Sequence, residues 1–232
     1  MLPIIRAHLL VLMNLLLTTN GALGQGTFQN LDFESAASVS VPDDSLNRIY
    51  FDAAFPAWIG YVGGVQQDRV FYDGRFLCCS SIGLFGPGVS ANPQIEGSFS
   101  AALFASPRFD GQPADAMLTQ TGVVPVGSRS LLFKAQTAGP FAVSLGGQSL
   151  SLIPLSTSAD YIYFGADITS LAGQTSELRF TAIAGTDPMR DGSYLMLDAI
   201  AFSPMAVPEP SILALFALAG ALGWFCWRRK AA

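Results

Sequence analysis

The chain has 232 residues, half of them hydrophobic and only 12% charged, with a formal net charge of −5. That length suits one domain with additions, and so large an apolar share excludes a disordered or collagen-like chain. A pI near 4.7 excludes nucleic acid as a natural partner, because a phosphate-reading surface needs a basic face.

Met1 to Gly24 has the three regions of a secretory signal peptide. Arg6 precedes the apolar run Leu9–Leu17, polar Thr18-Thr19-Asn20 follows, and Ala22-Leu23-Gly24 supplies small residues at a cleavage site. The apolar run is too short to span a bilayer, which takes about 20 residues. The mature chain then begins at Gln25 and loses His8, the sole histidine. Residues 25–206 hold 8 Arg and Lys against 16 Asp and Glu, or −8. They are read as one acidic exterior domain, poorly suited to anionic lipid.

Period-two patterning dominates this stretch. Predicted strands, in order, are the opening FQNLDF (Phe28–Phe33), Trp58–Val62, Val70–Tyr72, Arg75–Ser80, Ser98–Phe104, Ser130–Gln136, Ala159–Phe164, Ser176–Ile183 and Tyr194–Phe202. Between the sixth and seventh, Phe141–Leu145 and Gln148–Leu152 form a hairpin around Gly146-Gly147, since glycine takes the positive φ of a two-residue turn. Asp167–Ala172 reads as one short helical turn capped by Asp167. Short strands separated by Gly, Pro and Asp clusters predict an all-β fold, an antiparallel β-sandwich.

The C-terminal stretch 207–232 is different. Pro208-Glu209-Pro210 precedes the uncharged run Ile212–Trp227, and Arg228-Arg229-Lys230 closes it. The run is apolar all round, unlike the amphipathic face of a buried helix. Its 16 residues give about 24 Å, slightly short of a 30 Å core; Ser211 and snorkelling arginines bridge the rest. Residues 212–227 are therefore predicted to be a transmembrane helix, with the basic cluster in the cytoplasm and the domain outside.

The order Pro208-Glu209-Pro210, apolar helix, Arg228-Arg229-Lys230 resembles the PEP-CTERM sorting signal of Gram-negative bacteria. The resemblance implies an exosortase as partner, cleavage near Pro208-Glu209-Pro210, and transfer from the inner membrane to the cell surface or extracellular matrix. The order of Met117–Gln120, Ser130–Phe133, the Gly146-Gly147 hairpin, YIYFGADITSLAG, SELRFTA and the closing Leu195–Phe202, with the Asn30–Glu34 opening, resembles a galactose-binding-domain-like jelly roll. That resemblance implies a structural calcium between the first and last strands. Here the carboxylates would be Glu34 and Asp198, helped by backbone carbonyls, with Asp32 on the opposite face from Phe33.

Without a histidine, a Ser-His-Asp triad, a Cys-His pair and a His-ligated zinc are excluded from the mature domain. Two carboxylates suffice for glycoside hydrolysis, but no pair is marked among the 16. Adjacent Cys78 and Cys79 would form a strained vicinal bridge, so separate thiols are expected. A sugar platform needs an exposed aromatic ring beside polar groups, and Trp58, Tyr61 and Tyr72 are the candidates. Tyr161 and Tyr163 alternate on one strand, with no indication of which face is wet. The expected function is a non-catalytic surface or matrix protein that binds exopolysaccharide. The alternatives are a purely structural matrix protein and, behind it, a carboxylate glycosidase.

Overall fold

A computed structural model describes residues 26–46, 48–74, 79–87, 94–106, 112–185 and 192–207. The signal peptide, Pro208-Glu209-Pro210, the helix over 212–227 and the basic cluster lie outside the described residues.

Two sheets stack face to face. The larger has eight strands in the order β1 (Arg48–Tyr50), β4 (Arg69–Tyr72), β5 (Ser81–Phe85), β6 (Ser100–Ala105), β14 (Ser193–Ser203), β8 (Ser130–Ala138), β12 (Ile162–Asp167) and β11 (Ile153–Thr157). The smaller has six, in the order β10 (Gln148–Ser149), β9 (Phe141–Leu145), β13 (Thr175–Ala182), β7 (Ala116–Val123), β2 (Ile59–Val62) and β3 (Val65–Gln66). A single helical turn, α1 (Phe51–Ala54), follows β1. The sandwich is thus all-β as expected, but not wholly antiparallel, because β4 and β5 pair in parallel.

The hairpin at Gly146-Gly147 forms as predicted, with both glycines at positive φ (60° and 78°). Asp167 accepts hydrogen bonds from the Thr169 N–H (2.8 Å) and hydroxyl (2.6 Å) at a short 3₁₀ turn, Thr169–Leu171. Two expectations fail. The opening Phe28–Phe33 is a turn over the sandwich: Asn30 and Phe33 sit at φ 49° and 59°, and only Thr27 bridges to Val123. Of the expected strand Arg75–Ser80, residues 75–78 lie outside the described residues and 79–80 are not strand; the strand is Ser81–Phe85. Every residue of β5 is buried, since one face meets the inter-sheet core and the other lies under a second cluster of Phe85, Phe104 and Met196. A strand covered on both faces shows no polar alternation to read.

The core is an aromatic interlock. Phe133 of the larger sheet meets Phe180 of the smaller edge to face at 5.2 Å and Phe164 stacked at 5.4 Å. Phe180 continues to Trp58 (6.4 Å) and Trp58 to Phe33 (5.7 Å). Edge-to-face and offset pairs add to the burial of each ring. Beside this core, β14 carries one extra residue between Asp198 and Ala201, whose partners on β8 are Lys134 and Leu132. Ala199 takes φ 50° there, and the Ile200 N–H donates to Leu31 O (3.0 Å). Leu195 and Leu197 face the core before this bulge, and Ile200 after it.

Phe180 links the sheets, so Phe180→Ala should lower stability by about 3–5 kcal/mol. Urea unfolding would show this as a lower midpoint; an unchanged midpoint would remove Phe180 from the centre of the core.

Candidate functional site

None of the three candidate platform aromatics is fully exposed. Trp58 is only 5% exposed, its indole N–H donates to Asn30 O (3.0 Å), and its ring packs between Phe33 and Phe180. Tyr61 lies half-buried on β2 opposite Gln66 and Met117. Tyr72 packs against the core, its hydroxyl donates to Pro87 O (3.2 Å), and burial pushes that hydroxyl's pKa up. A large aromatic in a thin sandwich is more useful between the sheets than outside them, and that constraint overrides the platform reading of Trp58.

A different aromatic does reach solvent. At the lateral edge shared by β1 and β3, a cleft of about 530 Å³ is floored by Phe51, Phe55 and the edge of Trp58. Tyr50, 39% exposed, stands on its wall with Asp52, Gln66, Gln67 and Asp68. The Gln67 side chain is oriented by donating to Val65 O (2.8 Å). Behind the cleft Arg48 and Arg69 both turn to Asp44 (2.7 and 3.4 Å), and the Arg48 hydrogen bond holds the Asp44 carboxyl down to about 2. The cleft therefore combines one available ring with amides and carboxylates, the lining a sugar needs. A second hollow of about 560 Å³ beside Gln148–Ser151 and Thr169–Ser170 has hydroxyls but no aromatic ring.

The acids are drawn together elsewhere. Asp32, Glu34, Glu96 and Asp198 line a cavity of about 170 Å³ on the outer side of the bulge. Asp198 is 1% exposed and accepts three hydrogen bonds, from the Ser100 hydroxyl (2.7 Å), the Glu96 N–H (3.1 Å) and the Ala199 N–H (2.6 Å). Glu34 accepts the Ser98 and Phe99 N–H groups (2.8 and 3.0 Å), and Glu96 pairs with Lys134 (2.6 Å). Gly97, at φ 60°, lies against the Glu34 carboxylate where a Cβ would collide. Glu34 and Asp198 do share one cavity, as the calcium expectation required. The donor set nevertheless does not fit that cation. Among the described residues no three Asp, Glu, His or Cys side chains are placed to hold one metal, whereas calcium takes six to eight oxygens. Glu34 Oε1 and both Asp198 oxygens instead accept N–H and O–H donors, among them the backbone N–H groups of Glu96, Ser98 and Phe99.

Burial pushes the Asp198 carboxyl up to about 6, the Glu34 charge adds to the rise, and the three hydrogen bonds oppose it. Cys78 lies outside the described residues, and Cys79 is half-buried beside β5. The sequence pattern missed Tyr50, because it ends a three-residue strand whose alternation is too short to read.

Residues 206–230 match the PEP-CTERM protein-sorting motif. The motif implies an exported, exosortase-sorted cell-surface protein. The sequence has no match among curated proteins. Among solved structures, the sandwich is similar to TmCBM61 in complex with beta-1,4-galactotriose, at 10% identity and TM-score 0.42, covering 77% of this chain and 99% of that one. It is also similar to the enzymatically active domain of bacteriophage CBA120 tailspike protein 4, at 14% identity and TM-score 0.37, covering 64% of this chain and 19% of that one. A third is the beta-glucosidase from Kluyveromyces marxianus in complex with glucose, at 10% identity and TM-score 0.30, covering 78% and 19%.

Because the folded pKa of Asp198, about 6, exceeds the ordinary 3.8, the folded state holds this proton more tightly than the unfolded chain does. The resulting stabilisation is complete below about pH 4 and is lost as pH rises through about 6, roughly 3 kcal/mol in all. Measured by urea unfolding, the wild type should lose about that much relative to Asp198→Asn between those limits. A pH-independent difference would show that Asp198 titrates normally.

Proposed function

We propose that this protein is exported, held by residues 212–227 in the inner membrane as a precursor, cleaved near Pro208-Glu209-Pro210, and displayed at the surface or in the matrix, where its jelly-roll sandwich binds polysaccharide without altering it. The sorting half of this reading rests on the match over residues 206–230. The binding half rests on one observation: the Tyr50 ring is exposed in a cleft also walled by Asp52, Gln66, Gln67 and Asp68. A ring stacks on the C–H face of a sugar, while amides and carboxylates take its hydroxyls.

Binding is the reading taken because Asp198 and Glu34 lie outside this cleft, and its own carboxylates, Asp52 and Asp68, serve as acceptors for sugar hydroxyls. Asp198 and Glu34 occupy a cavity of about 170 Å³, below the roughly 300 Å³ of a ligand pocket. The Asp198 oxygens are moreover engaged by three donors. An acid so held stabilises a loop and has no path to a glycosidic oxygen.

On immobilised polysaccharide from an exopolysaccharide-producing bacterium, Tyr50→Ala should weaken retention of the protein about tenfold, the effect of losing one stacked ring. Tyr61→Ala, outside the cleft, should bind as wild type does. Equal retention of Tyr50→Ala and wild type, or no retention of wild type across a broad glycan panel, would overturn the reading.

A further inference from the structure

The two most exposed large hydrophobic residues among those described are Val126 (90%) and Met205 (74%); the next, Val65, is 59% exposed at another edge of the sandwich. Val126 and Met205 lie at one end of the fold. The turn Pro125–Ser128 closes with the Ser128 N–H donating to Pro125 O (3.1 Å), and its third residue, Gly127, has φ 83°. Directly after it the Arg129 N–H donates to Ser203 O (2.7 Å), and the Ser130 hydroxyl donates to Met205 O (2.7 Å). An exposed Pro-Val-Gly tip, its valine beside Gly173, thus shares one end of the sandwich with an exposed methionine, and neither belongs to the buried core. Arg129 is exposed between them. Asp167, also at this end, is turned onto Thr169.

The same end is where the chain leaves for its sorting motif. Val207 is 8% exposed and packs over Gly165 beside Leu155 and Leu132, so the last described residue is fixed to the sandwich. The apolar run begins at Ile212, five residues on. Five residues reach at most about 18 Å when fully extended, and the headgroup layer takes up about 5–7 Å of that. No linker holds the domain away from the bilayer.

We propose that, before cleavage, the end of the sandwich bearing Val126 and Met205 rests on the outer surface of the membrane, with both side chains in the lipid interface. The contact is apolar. The net charge of −8 on residues 25–206 rules out attraction to anionic lipid, so a zwitterionic surface is the partner. The short tether raises the local concentration of that surface until two side chains suffice to hold the orientation. The cleft at Tyr50 opens at the lateral edge of β1 and β3 and stays free. Cleavage would release the contact along with the anchor. The proposal rests on residues 212–227 entering the bilayer.

The test is photolabelling of the full chain in phosphatidylcholine vesicles carrying a diazirine-tailed phosphatidylcholine, with adducts mapped by mass spectrometry. Adducts are expected on residues 125–128 and 205 and on 212–227, with none at Val65 or Ile59. The double variant Val126→Asp, Met205→Asp should lose labelling at the exit end by roughly tenfold and keep it on 212–227. Labelling of 212–227 alone in the wild type would overturn the seating while leaving the anchor in place. Unchanged exit-end labelling in the double variant would overturn it as well. An unlabelled 212–227 would remove the anchor, and the proposal with it.

Discussion

One inserted residue in β14 governs how the larger sheet is finished. A strand alternates faces strictly, so a single extra residue exchanges the two faces for everything beyond it. Leu195 and Leu197 fill the core before the insertion and Ile200 fills it after. Asp198, turned outward by alternation from Leu197, stands at the insertion, and its carboxylate gathers the hydroxyl of Ser100 and two backbone N–H groups. Glu34, brought in by the N-terminal turn, takes the next two N–H groups of the same loop. The outer cover of the sheet is thereby tied both to the last strand and to the turn that holds Glu34. The cost is a carboxylate held out of water, visible in the upward shift of Asp198 to about 6.

Between the sheets the constraint is thickness. Two faces about 10 Å apart leave room for one layer of interdigitated rings, and Phe133, Phe180, Trp58 and Phe33 fill it. Trp58 is thus spent on cohesion. The short strands β1 and β3 end the two sheets on the same side of the sandwich, and the gap between those edges is the cleft of Tyr50. That cleft opens where the sheets run out, while the chain continues toward the sorting motif from the end of β14.

Much of the strand plan was legible because half-buried strands alternate. The Gly146-Gly147 hairpin, β7's partner β13 and the long β8 and β14 follow from period-two patterns and turn glycines. Of the two strands buried on both faces, β6 was close to the expected Ser98–Phe104, but β5 is small and apolar throughout and the pattern pointed instead to Arg75–Ser80. Edge strands of two or three residues, β1 and β3, are shorter than any periodicity can register. The opening FQNLDF alternates like a strand but turns at Asn30 and Phe33, because Phe33 is drawn fully into the core. Glu34 and Asp198 line one cavity, where their neighbours are N–H and O–H donors.

What the sequence determined by itself was the kind of molecule and its address. Apolar content, alternation and turn residues require a β-sandwich, and Pro208-Glu209-Pro210 with its apolar and basic sequel carries the sorting motif. Those signals are local, readable from a few neighbouring residues. The tertiary structure alone decided which aromatic is wet, where the acids meet and which end of the domain stays apolar. Tyr50 and Gln67 share one cleft, Glu34 and Asp198 one cavity, and Val126 and Met205 one end of the fold, each pair distant in the chain and gathered by strand order, register and one bulge. Composition sets how much apolar surface must be buried, but register chooses which side chains are left outside.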